Sequence, residues 1–282
     1  MPNFPIIDAH VHLYDPTAIR FSWMDGEPAL NRRHGLSEFA AASAGVDVEG
    51  IVFVEVAADD GRHLDESHWV EQHAAGVPLL RGIVGALPLE LGARAGPALD
   101  AFAALPRARG VRRLIQDRPP GWALEADFVD GVRSLSLYDL PFDICIRAGQ
   151  LAEAIELVRR CPDTRFVLDH IGKPAIRDGQ HEPWRTQLRE LSRAENVVCK
   201  ISGVATEADP QRWTYDDVAP FIAHAIDSFG FARVMFGGDW PVSEAAVTYP
   251  AWVATVDRVT SGATDTELRQ LYRDTAIGFY RL

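Results

Sequence analysis

The run Ile6-Ile7-Asp8-Ala9-His10-Val11-His12 opens the chain as a β-strand: short, apolar and branched, with no helical spacing. Seven more runs of this kind follow, at residues 50–56, 80–87, 110–116, 141–147, 166–171, 196–203 and 233–239. Several lack polar alternation, which suits parallel strands covered on both faces. Between them lie amphipathic stretches with helical spacing, at 36–44, 63–75, 97–105, 127–137, 150–160, 184–194 and 216–229. The tail adds 250–260 and 265–279, the latter opening on Thr264, Asp265 and Glu267, a loose capping-box signature. Strand and helix alternating eight times predict a (β/α)8 barrel. A doubly wound sheet is the alternative, but no glycine-rich phosphate turn follows the first strand. The length of 282 residues fits one such barrel, and no linker, low-complexity tract or repeat divides it. A single domain over residues 1–282 is expected.

Composition narrows the function. The chain is 47% hydrophobic and 24% charged, as globular proteins are. Its net charge of -12 argues against a general nucleic-acid or anionic-membrane surface. Positive charge is almost all arginine; the two lysines are Lys173 and Lys200. Cys145, Cys161 and Cys199 show no disulfide or zinc-knuckle spacing, and Cys145 and Cys199 read as buried inert thiols. Met1-Pro2-Asn3-Phe4-Pro5 lacks the basic and apolar regions of a signal peptide, and no apolar stretch would span a bilayer. A cytoplasmic protein is expected.

Chemistry concentrates at expected strand ends. Alternate side chains of a strand share a face, so Asp8, His10 and His12 are expected to point into the barrel together. Two histidines so spaced can grip one metal or polarise one carbonyl; they can equally be ordinary core or solvated residues. His170 ends the sixth strand in Val167-Leu168-Asp169-His170, and Asp239 ends the eighth in Met235-Phe236-Gly237-Gly238-Asp239. In a closed barrel strands one and eight are neighbours, so Asp239 would face His10 and His12. Two long loops, 13–35 and 172–184, follow the first and sixth strands, at the end of a barrel where active sites form.

The motifs at 8–12, 167–174 (VLDHIGKP) and 236–242 (FGGDWPV) resemble the lactonase branch of the amidohydrolase superfamily. That branch hydrolyses sugar lactones such as L-fuconolactone and L-rhamnonolactone, and a pyrone dicarboxylate lactone. The resemblance spans essentially the whole chain. It implies an amidohydrolase-type (β/α)8 barrel that opens a sugar lactone, with L-fuconolactone the substrate expected. It also implies Asp239 as general base and His10, His12 and His170 as the cluster that polarises the carbonyl. The wider superfamily often has a fifth-strand histidine and a fourth-strand lysine or glutamate. Here the fifth strand ends in Arg147 and the fourth carries Arg112, Arg113 and Gln116. The branch includes enzymes that work without a metal, so none is strictly required. A single divalent ion, zinc by the chemistry of its ligands, is the set that His10, His12, His170 and Asp239 would suit.

Substrate contacts are expected from Arg112 and Arg147, near strand ends and rich in donors. Trp23 and Trp240 are expected to cover a sugar face. Lys200 and Glu55 are charges inside apolar strands; buried charge needs a partner, so each belongs either at the barrel mouth or in a structural ion pair. The partner is a small-molecule lactone, with no nucleic acid and no membrane. Two rivals remain: a metal-dependent decarboxylase on the same scaffold, and a non-catalytic sugar-acid binding protein, which would have no need of a base beside a histidine cluster.

Overall fold

A computed structural model of the chain describes residues 2–73 and 75–282. Ala74, inside the stretch expected as the second helix, and Met1 lie outside the described residues. The strands are β1 (Ile6–Val11), β2 (Val48–Val54), β3 (Leu80–Ala86), β4 (Ala108–Arg112), β5 (Phe142–Ile144), β6 (Phe166–Leu168), β7 (Val197–Ile201) and β8 (Val234–Phe236). They form one parallel sheet in sequence order. Just past β8 the sheet returns to β1: Asp239 N–H donates to His10 O and His12 N–H to Trp240 O, each at 2.8 Å. The result is the (β/α)8 barrel.

The helices α1 (Leu36–Ala42), α2 (His63–His73), α3 (Gly96–Ala103), α4 (Ala126–Ser134), α5 (Leu151–Arg160), α6 (Trp184–Leu191), α7 (Tyr215–Phe229) and α8 (Tyr249–Val259) surround it. Their apolar faces bury the outward residues of the strands, such as Phe53, Ile83, Phe142 and Phe236, in one large cluster. A smaller cluster fills the interior: Ile7, Ala9, Val52, Val54, Val84, Val167, Val198 and Met235. It is closed by the C-terminal segment, α9 (Asp265–Arg269) running through a π-helical stretch into α10 (Thr275–Tyr280), whose Ala276 and Tyr280 join it. The capping box is present: Thr264 Oγ1 accepts the Glu267 N–H, and Glu267 Oε2 accepts the Thr264 N–H at 2.8 Å. No helix among the described residues is long and apolar enough to cross a membrane.

Two features of β1 position the site. Ile7 and Ala9 face the interior, which turns Asp8 away from it. The β1–β2 register then shifts between Asp8 and Val11. Such a bulge re-aims the residues after it, and His10 turns inward toward Lys200, Arg112 and Asp169. Strict alternation, with Asp8, His10 and His12 on one face, therefore does not hold. Asp8 instead ties the β1–β8 seam to α8. It accepts the N–H groups of His10 and Gly238 at 2.9 and 2.8 Å and the Tyr249 hydroxyl at 2.9 Å. Burial pushes its carboxyl up to about 7.

Candidate active site

The strand ends carry the reactive groups in turns that favour glycine, and here other residues occupy them. After β6 the backbone makes a left-handed turn: His170, Ile171, Gly172 and Lys173 all have φ between 48° and 76°. Asp239, after β8, has φ 54°. Each such non-glycine residue costs roughly 1–2 kcal/mol, and strain of this kind persists where the surroundings demand it. Gly203, at the end of β7, is demanded by close approach. A Cβ there would lie 2.5 Å from His170 Nδ1 and 2.7 Å from Asp239 Oδ2.

Asp239 Oδ1 lies 3.3 Å from His12 Nε2, 3.6 Å from His10 Nε2 and 4.0 Å from His170 Nε2. The far nitrogens set the tautomers. His12 Nδ1 is 2.8 Å from the carbonyl of Val54. A carbonyl only accepts, so Nδ1 carries a proton, and Nε2 is the atom turned to Asp239. His170 Nδ1 meets Ser202 Oγ at 2.9 Å, whose hydroxyl can donate and leave the Nε2 proton facing Asp239. Burial holds His10 well below the usual histidine range and lowers His170 to about 4. Burial works to raise Asp239, but the imidazoles of His170, His12 and His10 outweigh it and hold the carboxyl below its usual range. At neutral pH Asp239 is a carboxylate beside the neutral rings of His10 and His170.

Beneath it lies a buried ionic layer. Lys200 Nζ pairs with Asp143 at 2.6 Å and Asp169 at 3.1 Å, and stands 3.4 Å from His10 Nδ1. Tyr280 OH donates to Asp143 at 2.8 Å, tying the C-terminal helix to this layer. Arg112 Nε donates to Glu55 at 2.6 Å, and its Nη1 lies 3.3 Å from Asp169 and 3.4 Å from His10 Nε2. Burial opposes the Lys200 charge, but Asp143 and Asp169 outweigh it and raise the lysine. Burial likewise opposes ionised Asp169, which Lys200 and His10 hold well below the carboxylate range.

A cavity of about 330 Å³ opens above the cluster. His12, His170 and Asp239 line it together with Trp23, Arg112 and Lys173. The structure thus brings together the four predicted reactive residues, and it sorts the predicted substrate contacts. Trp23 lies on the cavity wall, 43% exposed, with its indole N–H on Val56 O at 2.8 Å. Arg112 reaches the cavity although its charge is shared with Glu55 and Asp169. Trp240 does not face the cavity: it is 1% exposed, packed edge-on against His34 and Phe39, and donates to Glu244. Lys200 is fully buried below the cluster, out of a substrate's reach. Glu55 is buried too, its carboxylate occupied by Arg112 and the Ala57 N–H. Arg147 sits on the rim, paired with Asp117 at 2.8 Å, and lines a separate hollow.

Other contributors carried no distinctive sequence signal. β5 ends at Ile144, so the buried residue that lines the cavity from this strand is Cys145 and not Arg147. Its thiol donates to Gln116 Oε1 at 3.5 Å. Asp169, Ser202 and Asp143 act through partners far away in the chain. Asp169 adjoins His170 inside an already notable motif, the one hint available.

The donor atoms of His10, His170 and Asp239 lie within 4.8 Å of one another. His12 is outside that group, although its Nε2 is near Asp239. Ligands of a tetrahedral zinc, bonded at about 2.0–2.2 Å, stand roughly 3.3–3.5 Å apart, so these donors fit one divalent ion with small adjustments. Val54 O on His12 and Ser202 on His170 would serve as the outer partners that orient imidazole ligands.

Residues 7–282 match the family model described as Amidohydrolase, and the chain belongs to that family. It is 31% identical to an L-fucono-1,5-lactonase of Burkholderia multivorans, over 98% of this chain and 96% of that protein. It is 28% identical to an L-fucono-1,5-lactonase of Burkholderia ambifaria, over 98% and 95%. A crystal structure of an amidohydrolase from Burkholderia multivorans with bound zinc superposes with a TM-score of 0.88, at 29% identity and covering 99% of this chain and 100% of that one.

Proposed function

We propose that this chain, one catalytic domain over residues 1–282, hydrolyses a sugar lactone to its hydroxy acid, with L-fuconolactone the first substrate to test. The observation that carries this is the Asp239 carboxylate, facing three imidazoles on the floor of a cavity. The names of the relatives support it. A water above Asp239 gives it a proton as the water oxygen bonds to the acyl carbon. The Nε2 proton of His170 and the Arg112 guanidinium face the charge that grows on the carbonyl oxygen. Collapse breaks the bond from acyl carbon to ring oxygen. The ring oxygen takes the proton that Asp239 accepted and becomes a hydroxyl, which restores the carboxylate, and the product acid ionises. Positioned donors of this kind are each worth about 100–1000-fold in rate.

His10, His170 and Asp239 would hold a single divalent ion, with His12 beside Asp239 and outside that group, and the ion when bound supplies Lewis acidity at the carbonyl. Arg112 Nη1, 3.4 Å from His10 Nε2, already places a fixed positive charge beside that ligand atom. The reaction is therefore read as not depending on the ion. The test is a steady-state comparison of L-fuconolactone with unsubstituted butyrolactone. A site that reads hydroxyls strands its own polar groups when they are missing, so the sugar lactone should lead by at least about 100-fold in kcat/KM, the scale of one or two lost hydrogen bonds. Equal efficiencies would sink the sugar assignment, and no turnover of either would sink the hydrolase reading.

A further inference from the structure

Both arginines marked as substrate contacts are committed to carboxylates, Arg112 to Glu55 and Asp169, and Arg147 to Asp117. Lys173 is placed differently. It lines the catalytic cavity and also the hollow of about 400 Å³ beside it, so it forms part of the wall between them. Its Nζ donates to Gln116 Oε1 at 2.7 Å, a neutral acceptor. Among the described residues no carboxylate oxygen lies within 4 Å of it. An ammonium has three N–H donors, and a largely buried charge needs partners. Gln116 takes one of those donors, Glu207 and Asp239 act on the charge only from beyond hydrogen-bond reach, and the other two donors are left for oxygens in the cavity. The placement is deliberate in the backbone as well. Lys173 closes the left-handed turn that begins at His170, with φ 48°, and both side chains line the same cavity.

We propose that Lys173, positioned by Gln116, is the anion-binding residue of the site: its ammonium joins His170 and Arg112 at the carbonyl oxygen of the lactone and then holds the carboxylate that replaces it on ring opening. The ligand class is a polyhydroxylated carboxylate. This rests on the lactone reading above, and the test separates the two.

Calorimetry with L-fuconate and with neutral L-fucitol reads the C1 group, a carboxylate in one and a hydroxymethyl in the other, since the two share their hydroxyls at C2 to C5. Wild type should bind L-fuconate at least about tenfold more tightly, the scale of a hydrogen bond to a charged group. Lys173→Met should lose that preference and keep its affinity for L-fucitol, and Lys173→Arg should retain most of the preference. Arg147→Met, in the neighbouring hollow, should leave it unchanged. Lys173→Gln, melted alongside, guards against a folding defect: it should melt within a few degrees of wild type and also lack the preference. A Lys173→Met protein that keeps the preference, or a wild type that has none, overturns the proposal, as does an Arg147→Met protein that loses it. Lactone turnover in the same preparations reports on the hydrolase reading. Selective L-fuconate binding without turnover would leave the anion site standing and remove the hydrolase; turnover without selectivity would do the reverse.

Discussion

The β1, β6 and β8 side of the barrel mouth and the β4 and β5 side are built on different terms. On the first, each reactive group is held by backbone or by a neighbour: His12 by Val54 O, His170 by Ser202, and Asp239 by its N–H to His10 O. On the second, past the ends of β4 and β5 at Arg112 and Ile144, the polar side chains rest on one another. There Gln116 and Lys173 meet at the cavity wall, and Arg147 leans out to Asp117 at the rim. The first side fixes a reaction; the second can change what it recognises while leaving the cluster alone. That division is common where rigid elements carry chemistry and loops carry recognition.

The sharpest way to break this comparison is Asp239→Asn. The amide is nearly the same size but cannot take the water's proton. Turnover should fall by at least about 100-fold, within the range of a lost general base, while the circular dichroism spectrum is unchanged. A variant that keeps more than about a tenth of wild-type kcat would remove Asp239 from the role of base.

The two arginines of the second side should separate in stability. Arg112→Met leaves Glu55 buried without its cation and Asp169 with Lys200 alone, and breaking such a pair costs about 3–5 kcal/mol. Arg147→Met removes an exposed pair worth at most about 1 kcal/mol. Urea unfolding of both measures the gap, and similar losses would mean the ionic layer is not what Arg112 supports.

The tryptophans make the same point in opposite directions. Trp240→Ala empties a packed site and should cost about 3–5 kcal/mol with little change in KM. Trp23→Ala should leave the melting temperature near wild type and raise KM about three- to tenfold, the scale of an aromatic contact. A KM that moves with Trp240 and not with Trp23 would reverse the assignment.

Glu66 gives a test in pH. It is buried on α2, and burial together with the Glu55 charge raises it well above the carboxylate range. Arg112 Nε sits on Glu55 at 2.6 Å, and Glu66, with no cation of its own in contact among the described residues, is the acid that burial drives neutral. A raised acid contributes stability that is complete below its unfolded pKa and is lost as pH rises through the folded one. Glu66→Gln escapes that loss. Its melting temperature relative to wild type should therefore climb from pH 5 to pH 8; a flat difference would show Glu66 already ionised.

The smallest effect expected is that of chelation. Protein stripped of divalent metal should hydrolyse lactone within about twofold of untreated protein, because a lactone is a comparatively activated ester and Arg112 supplies fixed charge at the cluster. Loss of activity that zinc restores would make the ion part of the catalytic side.

The amino-acid sequence by itself determined the architecture and which four side chains, His10, His12, His170 and Asp239, would converge. Eight apolar runs separated by amphipathic stretches admit few arrangements besides a barrel. His10, His12, His170 and Asp239 were legible because they close three of those runs, where a barrel must bring strand ends together. The tertiary structure alone decided how they are aimed and what surrounds them. A one-dimensional pattern cannot show the bulge that turns His10 inward and Asp8 outward, since it arises from the pairing of β1 with β2. Nor can it show that 113–116 and 145–147 leave the sheet, because apolar composition continues past the last ladder bond. Lys200, Asp143 and Asp169 find each other from three strands, and Trp240 is buried while Trp23 is open. Those facts depend on which side chains converge across the barrel, and convergence in space is the information that local sequence spacing does not carry.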